Sequence, residues 1–296
     1  MQASPREVSM IDIVYRFDPD GPPLAPQPTS PEEARQRLCQ GNQEFARLVD
    51  PPRGSHPAQR VIPIDLSDFG ASDKPGHAPR QQPFAIVLGC SDARVPIELV
   101  FGQACNDLFV VRVAGNVLGS ECLGSIEYAV ANLRESVQLL VVLGHSGCGA
   151  VTAAVDAYLG PARYLSVANT QALRAIVDRV MISARAADQS LMRVHGREVR
   201  RKPGYRAALI ELTVVVNAAL TAKTLRRELQ GFRKFHGQVA YGVYHLLDRE
   251  VSVPVGAAGS DVKGLLRPPH TTAEIQALGE QAARSRMIEH LLSESR

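Results

Sequence analysis

Two short segments hold the residues whose types and spacing could do chemistry. One is Cys90-Ser-Asp92-Ala-Arg94, the other His145-Ser-Gly-Cys148-Gly149, and each follows directly on an apolar run. Two thiolates and an imidazole are good zinc ligands, and three protein ligands leave a fourth position open, as in catalytic zinc sites. His145 and Cys148 are three apart on a tight turn that Gly147 and Gly149 ease, so both can face one ion. A helix starting beside Cys148 would help to hold an anion, either thiolate or substrate. Four protein ligands would instead close the site into a structural one, and Asp92 is a candidate for the fourth. On chemistry alone both arrangements stay open. No two cysteines have the CxxC spacing, which excludes that redox motif. For Cys39, Cys105 and Cys122 the ordinary reading is burial in the core.

The elements that must position these segments follow from hydrophobic pattern. Phe84–Gly89, Leu108–Val111, Gln138–Leu143 and Val239–Tyr244 are short apolar runs without alternation, which suits strands buried on both faces of a parallel sheet. Helical patterns separate them at about 119–133, 148–159, 163–193 and 206–230. Alternating strands and helices predict an α/β fold with a mainly parallel central sheet flanked by helices. Ligands bind at the carboxyl ends of such strands, where both segments fall.

The flanks read differently. Ile11, Ile13, Tyr15 and Phe17 alternate with polar residues and predict a short strand, followed by an extended Pro-rich run over 19–28. Ser30-Pro31-Glu32-Glu33 starts a helix that runs to about Leu48, an N-terminal arm. Residues 50–80, rich in Pro, Gly and Ser, read as a long loop. A last helix over roughly 272–293 carries Ile275, Leu278, Ile288, Leu291 and Leu292 near one stripe. The expected organisation is an N-terminal extension over 1–29, a catalytic domain over 30–250 and a C-terminal extension with a helix over 251–296.

Composition narrows the function classes. The chain has 296 residues, a net charge of +3, no basic block, sparse aromatics and no Trp, which argues against a nucleic-acid partner. No secretory signal pattern opens the chain, and no stretch reaches the ~18 apolar residues of a membrane span. Five cysteines, an odd number, point to a reducing, cytoplasmic setting.

The two segments, about fifty residues apart, resemble the paired zinc motifs of the β-class carbonic anhydrases. Gln81-Gln-Pro-Phe resembles that family's Gln-x-Pro segment, Asp107–Asn116 its next strand and turn, and Ser125–Val130 the helix that follows. The likeness covers roughly 30–247 and is densest over 81–152. It implies zinc held by Cys90, His145 and Cys148, and attack of zinc-bound hydroxide on carbon dioxide to give bicarbonate. Asp92 would orient the nucleophile, or bind zinc as fourth ligand in a closed state, and Arg94 would hold Asp92. Gln81 and the Gly149 N–H would bind bicarbonate, and Phe109 and Tyr128 would wall the pocket. His56, His77 and His236 are candidates for proton transfer, or plain exposed loop residues. The family is built on dimers, so a homodimer or higher homo-oligomer is expected, with at least one terminus crossing to a partner. Departures are Ala93 where Ser is usual, Val113 where Asn is common, and Val87 where one subgroup carries the Trp of a non-catalytic bicarbonate pocket. Two other readings are a carbon disulfide or carbonyl sulfide hydrolase on the same scaffold, and a non-catalytic zinc-binding assembly protein.

Overall fold

The structure, a computed structural model, describes residues 11–21, 24–49, 58–72, 76–167, 169–231 and 236–294. In chain order its elements are β1 (Ile11–Arg16), α1 (Pro31–Val49), β2 (Ala58–Pro63), β3 (Ala85–Gly89), α2 (Ile97–Phe101), β4 (Leu108–Arg112) and α3 (Ser120–Asn132). Then come β5 (Leu139–His145), α4 (Gly149–Leu159), α5 (Pro161–Val167), α6 (Gln171–His195), α7 (Tyr205–Glu228), β6 (Gln238–Tyr244), β7 (Val251–Val253), β8 (Val262–Lys263), α8 (Thr272–Ala283) and α9 (Arg286–Ser293).

The four apolar runs are the parallel strands of the central sheet, in the order β4-β3-β5-β6, with β7 and β8 added antiparallel at one edge. Their lack of alternation has a direct cause: helices cover both faces. Ile86, Leu88, Leu140, Val142, Val239 and Tyr241 pack against α3, α4, α6 and α7. Ala85, Val87, Leu139, Val141, Leu143 and Ala240 pack on the other face, against Leu38 and Phe45 of α1 and Val100 and Phe101 of α2.

α1 begins as its capping residues dictate. Ser30 Oγ accepts the Glu33 N–H at 3.2 Å, and the Glu33 carboxylate accepts the Thr29 N–H at 2.8 Å. With Ala34 and Leu38 fully buried, α1 is a wall of this chain's own core rather than a free arm.

Several expectations need correction. The stretch 50–80 is not a loop throughout: β2 lies within it and pairs parallel with β1, burying Ile62 beneath Ile13 and Tyr15. The helix expected over 163–193 is two, α5 and α6, with Thr170 capping α6 by accepting the Leu173 N–H at 3.2 Å. The helix expected over 272–293 is also two, because Ser285 caps α9 through the Ile288 N–H. Nor is its apolar stripe left uncovered: Ile275, Ile288 and Leu292 are buried against α6 and α7.

α7 is long and apolar enough by composition to cross a bilayer, but 78% of its most apolar stretch is buried within the fold, as befits a core helix. Asp188 on α6 joins the helices of this layer. Its fully buried carboxylate accepts the hydroxyls of Tyr158 (2.7 Å) and Tyr205 and is paired with Arg200.

Candidate metal centre

β3 and β5 are neighbours, yet the chain leaves them in opposite directions, from β3 to β4 on one side and from β5 to β6 on the other. A crevice opens at the carboxyl ends of strands where the order reverses in this way. Cys90 follows β3, His145 ends β5, and Cys148 caps α4 three residues on.

The three side chains meet there. The Sγ atoms of Cys90 and Cys148 lie 3.9 Å apart, and the ligand atoms of Cys90, His145 and Cys148 are all within 4.8 Å of one another. All three residues are buried. His145 Nδ1 lies 3.0 Å from the Ser146 carbonyl oxygen, a contact that assigns the proton to Nδ1 and leaves the Nε2 lone pair free. Nε2 is buried and has no hydrogen-bond partner among the described residues. A buried polar atom without a partner is costly, and one aimed at two sulfurs marks a donor set that a soft divalent ion would complete.

The sulfurs are themselves prepared for negative charge. Cys90 Sγ accepts the Gly115 N–H at 3.4 Å, and Cys148 sits at the N-terminus of α4, where backbone N–H groups favour negative charge. The two thiols titrate as a pair. The bond from Cys148 draws Cys90 well below the usual thiol range, and the same bond, with burial, pushes Cys148 up.

Asp92 stands beside this cluster, its carboxylate held by Arg94. Arg94 grips its carboxylate at two points, Nε to Oδ1 at 3.0 Å and Nη2 to Oδ2 at 2.7 Å, and the Arg94 N–H adds a third bond at 2.9 Å. Oδ2 is 3.8 Å from His145 Nε2. The guanidinium holds the Asp92 carboxyl well below the ordinary carboxylate range. Arg112, at the end of β4, braces the same loop by donating to the carbonyl oxygens of Cys90 (3.1 Å) and Asp92 (2.7 Å).

The other expected site residues are placed less centrally. Phe109 is half-buried and packs against the apolar cluster that contains Cys90 and Cys148. Gly149 opens α4 beside Cys148. Gln81 is exposed just before β3, and Tyr128, on α3, is 54% exposed, so neither belongs to the buried cluster. His77 and His236 are exposed, and His56 lies outside the described residues.

Two participants had no role in the sequence reading. Arg112 stood inside a quoted motif without one. Glu211, on α7, accepts the Gly147 N–H at 3.0 Å, between the two ligands of the turn. Its signal was available: it is the one charged residue between Arg206 and Lys223.

Comparison with known proteins points to one family. A family model described as carbonic anhydrase matches residues 85–231. "Carbonic anhydrase 2" of Mycobacterium tuberculosis is 44% identical over 129 residues, 44% of this chain and 55% of that protein. A carbonic anhydrase of Mycolicibacterium smegmatis is 54% identical over 77 residues, 26% of this chain and 36% of that protein. The chain thus spans about half, or less, of the length of these curated relatives. Among solved structures, the chain is similar to the β-carbonic anhydrase CcaA, which covers 62% of this chain and 85% of its own at 19% identity, with a TM-score of 0.46.

Proposed function

Residues 85–231 belong to the carbonic anhydrase family, of the β class, and from that premise we propose that the chain catalyses the reversible hydration of carbon dioxide to bicarbonate and a proton. Zinc is its cofactor, with Cys90, His145 and Cys148 as ligands. The observation that carries this reading is the buried, unpartnered Nε2 of His145 facing the two sulfurs. Zinc held by these residues would lower the pKa of a bound water toward neutrality and so supply a nucleophile. Two thiolates cancel the ion's charge and leave it a weaker Lewis acid than three neutral histidines would, so the protein must do more.

Asp92 does part of that work. Its carboxylate, 3.8 Å from His145 Nε2, accepts a hydrogen bond from the nucleophile and orients its lone pair. Arg94 keeps Asp92 in that role by holding both its oxygens. The Gly149 N–H, at the positive end of α4, and the Gln81 amide donate to bicarbonate oxygens. Phe109 and Tyr128 keep the pocket apolar for carbon dioxide. The five free thiols support a reducing, cytoplasmic setting.

Metal quantification joined to stopped-flow hydration of carbon dioxide tests this. We expect one zinc per chain, and loss of metal and of most activity in Cys148→Ser. Full metal content in that variant, or zinc-loaded protein that leaves carbon dioxide hydration at the uncatalysed rate, refutes the assignment.

A further inference from the structure

The turn that carries His145 and Cys148 is tethered from two directions. Two bonds come from the end of β6: the Ser146 N–H donates to the Tyr244 carbonyl at 3.0 Å, and Ser146 Oγ accepts the Leu246 N–H at 2.9 Å. The third comes from α7, where Glu211 Oε1 accepts the Gly147 N–H at 3.0 Å. α7 is a core helix, with Leu209, Leu212, Val214, Val215 and Val216 buried around this position. Glu211 itself is half-buried beside this packing, and that partial burial carries a desolvation cost that pushes its carboxyl up. An apolar residue would avoid that cost, so the acid needs a reason.

The reason lies in one peptide plane. The Gly147 N–H and the Ser146 carbonyl belong to the same trans peptide unit and point in opposite directions from it. The carbonyl of that unit is the partner of His145 Nδ1, at 3.0 Å. Whatever fixes the N–H therefore fixes the carbonyl, and through it the tautomer and tilt of the His145 ring. Gly147 sits at φ +63°, so its own backbone gives little stiffness to the turn. We propose that Glu211 is a positioning residue of the metal centre, acting through the rigid Ser146–Gly147 peptide to aim His145 Nε2 at the ion. The proposal rests on the zinc reading above. In metal sites generally, a histidine's second nitrogen is oriented by a carboxylate or carbonyl behind it; Glu211 orients one by way of the other.

Three variants test it, with zinc affinity measured by chelator competition and the visible spectrum of the cobalt-substituted protein as a second readout. Glu211→Ala should lose about tenfold or more in zinc affinity and shift the cobalt spectrum, the usual scale for losing a ligand's supporting partner. Glu211→Gln keeps an acceptor oxygen at the same reach and should restore affinity to within about threefold and restore the spectrum. Gly147→Ala leaves Glu211 intact, and its new Cβ would meet only Leu246 Cδ1 at 3.9 Å, an ordinary contact. It opposes the left-handed backbone that presents the N–H, so affinity should fall in the same direction, and it decides the matter if Glu211→Ala does not fold. Glu211→Ala or Gly147→Ala at wild-type affinity overturns the proposal, as does Glu211→Gln that is as weak as Glu211→Ala. Wild-type protein that takes up no zinc overturns the metal reading and this proposal together; with wild-type uptake intact, any failure belongs to Glu211 alone.

Discussion

One guanidinium, that of Arg94, holds the Asp92 carboxylate beside the candidate metal centre. Asp92 Oδ2 is only 3.8 Å from His145 Nε2, close enough to reach a bound ion if Arg94 let go. Arg94→Ala should therefore free Asp92 to take the open position, so that hydration falls by about two orders of magnitude while zinc stays bound. Arg94→Lys should rescue only partly, because an ammonium cannot reproduce the planar two-point grip. The sign of the pH response follows from the same pair. Arg94 depresses the Asp92 carboxyl, so their pairing is complete above the unfolded value, ~3.9, and is lost as pH falls through the lower folded value. Above about pH 5 Asp92 thus stays ionised, and closure reflects competition with solvent for the open position rather than protonation of Asp92. Rising pH favours the open state, and Arg94→Ala should need a higher pH to recover any rate. Metal content, rate against pH and zinc ligation by X-ray absorption check this; near-normal activity of Arg94→Ala at neutral pH would sink the gate. Cys90, Asp92, Arg94, His145 and Cys148 were legible because they come in two compact segments after apolar runs. Glu211 was marked only as a lone charge on an apolar helix, and its partner, a backbone N–H 64 residues away, was not legible because no side-chain pattern announces it.

Among elements, legibility followed burial. The four parallel strands declared themselves because sealing both faces demands unbroken apolar runs. β2 did not, since Arg60 and Pro63 interrupt its apolar residues and its partner β1 comes from the far side of α1. α2, β7 and β8 have two to five residues, too few to show a period, and depend on tertiary packing. The breaks at Thr170 and Ser285 were visible only as capping residues inside otherwise helical patterns. The same helical layer contains the buried Asp188 junction, which hydrophobic pattern cannot reveal at all. Asp188→Ala would leave the hydroxyls of Tyr158 and Tyr205 without their acceptor and Arg200 without its counter-charge. A loss of about 2–4 kcal/mol in denaturant unfolding is expected, the half-exposed Arg200 contributing little of it. Asp188 is held below the usual carboxylate range despite its burial, because the arginine and tyrosine bonds outweigh desolvation. Its contribution is therefore full above the unfolded value near pH ~4 and fades as pH falls through the folded one. The gap between wild type and Asp188→Ala should narrow on acidification; a gap that widens instead would contradict this reading of the junction.

For the whole molecule, the question is whether one chain encloses a working pocket. The ligands are sealed, with His145 fully buried and Cys90 and Cys148 nearly so. Two of the residues expected to line the pocket are not: Gln81 is exposed and Tyr128 is 54% exposed, while Phe109 is half-buried; Leu247, three residues past the end of β6, is a further apolar side chain left 91% exposed. Carbon dioxide is apolar, and a pocket that favours it over water needs walls on every side. If the chain assembles as a homo-oligomer, exposed apolar side chains such as Tyr128 and Leu247 are the ones a second copy would gain by covering. The N-terminal helix offers no cleaner test of that idea, since Leu38 and Phe45 lie in this chain's own core and their removal would report on folding instead. This 296-residue chain should therefore run in light scattering at twice 32.0 kDa or a multiple of that, and hydration activity per chain should fall on dilution as the mass falls. Tyr128→Arg and Leu247→Asp should shift the mass toward the single chain and lower activity while the far-ultraviolet signal and zinc content are kept. Because Cys90, His145 and Cys148, the three candidate ligands, come from one chain, metal binding and assembly are separable in experiment, and a zinc-loaded 32.0 kDa species with full activity would show that the single chain closes its pocket unaided.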